Sequence, residues 1–111
     1  MRDIPKRVKR LLREQAARAY EAELRRALLP LAEAFEQWKA GQIESGNLCQ
    51  LIHEFHQGPA RELYTRYNAA WLDMVVARAI ADGLLDRQEV PAEVLDYLRP
   101  VLALHDMNRP P

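Results

Sequence analysis

At 111 residues the chain is long enough for one domain with a real core, and its 49% of hydrophobic residues are mostly aliphatic, aromatics being only 7%. Sixteen basic residues balance 16 acidic ones, so no overall field draws the chain to nucleic acid or to a membrane surface. One cysteine, Cys49, excludes an internal disulfide and suits a reducing compartment, and neither a run of about 18 apolar residues nor a signal-peptide core is present; a soluble, cytoplasmic protein is expected.

Helical periodicity runs nearly throughout, and strand alternation is absent. The fold expected is an all-α, four-helix, mostly antiparallel bundle, a single domain over residues 1–111. A first helix extends from about Pro5 to Lys39, opened by Asp3 and Pro5 and closed by Gly41. Val8, Leu11, Leu12 and Ala19 mark its early apolar side. A heptad-like seam then follows Ala17, Tyr20, Leu24, Ala27, Leu31, Ala34 and Trp38, suited to packing against a neighbouring helix. Pro30 interrupts it and is expected to kink the helix near Arg26 to Leu29 or to split it.

Charge is uneven along this helix. Residues 1–18 carry Arg2, Lys6, Arg7, Lys9, Arg10, Arg13 and Arg18 against Asp3 and Glu14, a net of +5 that leaves −5 for the rest. The basic arm, residues 1–15, shows Lys6, Arg10 and Arg13 on one face. Without interleaved aromatics, nucleic acid is a less favoured partner for it than an acidic protein surface.

After the Gly41–Gly46 turn, Ser45 is expected to cap a second helix, roughly Asn47–Gln57, striped by Leu48, Leu51, Ile52 and Phe55. Gly58-Pro59 reads as a corner, with Gly58 ending one helix in a left-handed conformation and Pro59 opening the next. That third helix is expected from Pro59 to Asp82, with a wide apolar arc from Leu63 to Ala81. Gly83 stops it. Asp86 with Glu89 reads as a capping box before a last helix of about 90–104, and residues 105–111 form a frayed tail.

The densest chemistry surrounds the Gly58-Pro59 corner, where His53, Glu54, His56, Arg61, Glu62 and Tyr64 are the candidate binding residues. They are equally the residue types that cap helix ends and pair with one another. Cys49, His53 and His56, at i, i+4 and i+7, share a helical flank and offer three ligands of the kind zinc accepts, though no Cys-x-x-Cys or His-Glu-x-x-His motif accompanies them. Arg78 and Asp82 form a charged pair at the edge of an apolar arc, either a buried ion pair or an opening for a ligand.

The segment Arg99-Pro-Val-Leu-Ala-Leu-His105 has an Arg-x5-His spacing that resembles the catalytic motif of the HEPN ribonuclease superfamily, small helical domains that often dimerise. The resemblance covers seven residues and implies that Arg99 steadies phosphate charge while His105 acts as acid or base on an RNA 2′-hydroxyl. Pro100 departs from the family's usually polar position. No phosphate-binding glycine loop or serine-nucleophile motif occurs, so no cofactor is expected.

The residues together point to a small interaction or regulatory module, a bacterial-type accessory protein that binds or neutralises a protein partner and self-associates as a homodimer. The dimer is expected to cover Val8, Leu11 and Leu12, bringing the basic arm near Glu33, Glu36 or Glu44 of a second copy. The alternative is a small hydrolase, either metal-dependent through Cys49, His53 and His56 or a ribonuclease through Arg99 and His105.

Overall fold

A computed structural model describes residues 4–69 and 71–107. These are all-α: α1 (Lys6–Lys39), α2 (Ser45–Phe55), a π-helical turn (His56–Ala60), α3 (Arg61–Ala69), α4 (Leu72–Ala81), a short 3-10 turn (Arg87–Glu89) and α5 (Ala92–Met107), with no strand among the described residues. Asp3 and the tail from Asn108 lie outside them.

Gly41 and Gly83 end α1 and α4 as their sequence positions imply. Both adopt positive φ, 78° and 79°. The amide of each glycine and that of the next residue reach back to the last carbonyls of their helix, Gly41 to Trp38 and Gln42 to Gln37, Gly83 to Ile80 and Leu84 to Ala79. Pro30 does not split α1, which continues through it as one 34-residue element.

The Gly58-Pro59 corner is a correction. Gly58 has no positive φ, and the backbone passes from α2 into α3 through the π-turn without a reversal. Pro59 lacks an N–H, and its ring crowds the carbonyl one turn back. A widened turn accommodates both defects while the helix goes on. A Cβ added at Gly58 meets nothing within 4 Å. Gly58→Ala should therefore raise stability by about 0.5–1 kcal/mol, whereas Gly83→Ala, forced to positive φ, should lower it by about 1–2 kcal/mol, both read from urea unfolding midpoints. Equal losses at the two sites would restore the corner reading.

The helix breaks later, between α3 and α4, so the expected helix Pro59–Asp82 is two helices. At roughly 100° per residue, an uninterrupted helix would set Leu63 and Tyr67 on about the opposite side from Val76 and Ile80. All four are covered to some degree, the last two almost completely. Asn68 helps the break, its side-chain amide donating to the Tyr64 carbonyl at 2.7 Å and competing with the backbone for that acceptor.

Two further caps differ from expectation. Ser45 is the first residue of α2 rather than its cap, and its Oγ accepts from Trp38 Nε1–H at 2.9 Å. Asp86 accepts from the Gln88 amide and caps the 3-10 turn, while Glu89 reaches Arg18 instead of closing a capping box. Residues 105–107 continue α5.

The core gathers at one end. Leu11, Leu12, Ala16 and Ala19 of α1 interlock with Val75, Val76, Ala79 and Ile80 of α4 and with Val94, Leu98, Val101 and Leu102 of α5. Leu11 and Leu12 are thus covered within the chain, which removes the reason to expect a second copy there. Beyond the junction at Glu23, α1 leaves this core and is joined by α2, the π-turn and α3. Trp38 meets Ser45, Glu23 meets Arg66 and Tyr20 meets Tyr67, so the returning strand of helix runs antiparallel to α1. This second half is a two-helix arm in which, among the described residues, only Ala34, Leu48 and Leu63 are buried. The molecule is accordingly long, 53 × 32 × 22 Å.

Candidate functional site

Where the arm joins the core, α1, α3, α4 and α5 leave a cavity of about 190 Å³ lined by Glu23, Arg66, Tyr67, Met74, Arg78, Asp82, Leu84 and His105 among others. Arg66 donates to both Glu23 carboxylate oxygens at 3.4 Å. Burial, followed by a hydrogen bond to Glu23, holds the Tyr67 phenol above its ordinary pKa of 10.0, so it stays a neutral donor throughout the physiological range. Tyr67 is further held by Tyr20, ring centroids 5.1 Å apart. Arg78 and Asp82 stand 3.6 Å apart, with side chains 68% and 55% exposed, so this is a rim pair rather than a buried one. The polar groups largely satisfy one another over an apolar floor, an arrangement that fixes the arm to the core.

Glu23, Arg66 and Tyr67 carry this junction, and sequence reasoning did not single them out. Glu23 and Arg66 lie 43 residues apart, and nothing local marks them as partners. Asp82, Arg78 and His105 were singled out for other reasons and meet here.

Arg99 does not join His105. It donates to Asp96 at 2.6 Å and its side chain is 77% exposed, whereas half-buried His105 lines the junction cavity. Six residues of helix turn the two side chains roughly 120° apart.

The six candidate binding residues divide. His56, Arg61 and Tyr64 share a shallow, solvent-open concavity with Tyr20. Glu54 lies elsewhere, accepting from Gln50 at 3.1 Å beside an apolar groove of about 260 Å³ that includes Ala27, Leu31, Leu51 and Phe55. Glu62 lines another hollow with Arg26 and Arg66. His53 is exposed on α2, as is Cys49. Among the described residues no group of three His, Cys, Asp or Glu side chains is placed to hold a metal ion, so Cys49, His53 and His56 do not form a ligand set.

The apolar stripe of α2 is also divided. Leu48 is buried, but Leu51 and Ile52 are 40% and 37% exposed, and Phe35 and Trp38 of α1 are exposed to a similar degree. No helix among the described residues is long and apolar enough to cross a membrane. Comparison of the chain with protein-family models, with curated proteins and with solved structures found no match.

Proposed function

We propose that the protein is a helical interaction module, of an accessory or regulatory kind, which self-associates and presents its two-helix arm to a protein partner. One observation carries this reading: the arm buries little and keeps Leu28, Leu29, Phe35, Trp38, Leu51 and Ile52 exposed, whereas the other half gathers its buried residues into one core while also exposing Trp71, Met74, Leu104 and Met107. A radius of gyration of 17.7 Å compares with about 13 Å for a compact chain of this length. Exposed apolar patches on a folded chain commonly mark contact sites. The hydrolase alternative has less support, since Arg99 is engaged by Asp96 and the three candidate ligands of α2 and the π-turn do not converge.

The test is a pull-down from native lysate with the full chain as bait, beside a variant carrying Leu51→Glu and Ile52→Glu. Because both side chains are already partly exposed, the variant should still fold, with a thermal midpoint lowered by no more than about 10 °C, yet lose the retained partner. Equal retention by both baits, or no retained protein at all, would count against the arm as a docking element.

A further inference from the structure

We infer that α1 pairs antiparallel with α1 of a second copy, through a stripe made of Glu21, Arg25, Leu28, Ala32, Phe35 and Lys39. The inference rests on the self-association proposed above and specifies its surface and direction. The seam legible in the sequence, from Tyr20 to Trp38, is occupied by the chain's own α2 and α3. This second stripe lies beside it on the same helix, spaced 4, 3, 4, 3 and 4 residues, which keeps it on one line along a supercoiled pair. Leu28, Leu29 and Phe35 are 43%, 62% and 39% exposed there, and Glu21, Arg25, Leu28, Leu29 and Ala32 surround a shallow hollow of about 280 Å³ able to receive a side chain. Pro30 sits on the other side of the helix, in the groove facing α2.

The charges select the occupant and its direction. Within one chain Arg25 donates to Glu21 at 3.3 Å, and Lys39 donates to Glu36 at 3.5 Å, so an ion pair brackets each end of the apolar segment. With Leu28 set opposite Ala32 of the second copy about a two-fold axis, Glu21 falls opposite Lys39 and Arg25 opposite Phe35 and Glu36. Every layer is then complementary: opposite charges, a guanidinium on a ring, and a large side chain against a small one. Parallel pairing would instead set Glu21 against Glu21 and Lys39 against Lys39. The area is also of the right order. The chain exposes 8126 Å², against about 6,300 Å² for a compact monomer of its mass, and a standard interface needs roughly 800 Å² from each partner.

Sedimentation equilibrium of the full chain at micromolar concentration should give a dimer. Leu28→Arg, entering the interface twice by symmetry, should weaken it about 100-fold or more while leaving the thermal midpoint of the monomer unchanged. In a Cys49→Ser background, Leu28→Cys mixed with Ala32→Cys should cross-link on mild oxidation, whereas neither variant alone should do so. Glu21→Lys and Lys39→Glu should each associate more weakly than the native chain, and a mixture of the two should recover the native mass. A native chain that stays monomeric overturns both the self-association and this pairing. A dimer that is indifferent to Leu28→Arg, or in which the mixed cysteines fail to link, overturns the pairing alone.

Discussion

Leu98→Ala should lower the free energy of unfolding by about 3 kcal/mol, a large share of what a domain of this size commands. Leu98 is 0% exposed in the cluster shared by α1, α4 and α5. Truncation removes most of its side chain and leaves a cavity that three packed helices cannot close. The matched substitution in the arm, Leu51→Ala, removes the same atoms from a side chain 40% exposed and should cost under about 1 kcal/mol. Urea unfolding of both variants, at a concentration where the chain is monomeric, measures the difference. Equal losses would mean that the arm is as closely packed as the core, and would remove the contrast on which the proposed function rests.

Deleting Pro59 should leave the fold intact and raise the thermal midpoint. The π-turn His56–Ala60 holds one residue more than a regular α-helix needs there. Removing Pro59 lets α2 and α3 close into one α-helix, restores a backbone donor, and keeps the helix on either side in phase. Leu48 and Leu63 therefore continue to face α1. Deleting Ala27 instead, from a regular part of α1, turns the outer half of that helix by about 100° against its inner half. The seam of Leu31 and Ala34 then loses its neighbours on α2, and several kcal/mol should be lost. Circular dichroism with thermal melting follows both deletions. If deleting Pro59 unfolds the arm as thoroughly as deleting Ala27, the turn is an enforced element rather than an accommodated insertion. The concavity of His56, Arg61 and Tyr64 flanks this turn, so the deletion also reveals whether the widened backbone shapes it.

By itself the sequence determined the all-α class, because a 3.6-residue apolar period is incompatible with strands. It also determined the two helix ends at Gly41 and Gly83, where only local backbone geometry is at stake. The apolar side formed by Leu11 and Leu12 was legible for the same reason, although the sequence pointed to a second copy as its cover where the fold supplies α4 and α5. Tertiary structure decided which chain breaks are used. Gly58-Pro59 permits a reversal without compelling one, and packing along α1 favours continuation through a widened turn. No glycine or proline marks the break between α3 and α4. It follows from the opposed buried faces of Leu63 and Tyr67 on one side and Val76 and Ile80 on the other, which only the position of α1 makes decisive. The junction of Glu23, Arg66, Tyr67 and His105 was illegible for a related reason: each residue is ordinary on its own helix, and their chemistry arises from four elements meeting at one point. The stripe from Glu21 to Lys39 lies between these cases. Its spacing is written in the sequence, but only the fold shows that α2 and α3 occupy the neighbouring seam and leave this one to solvent.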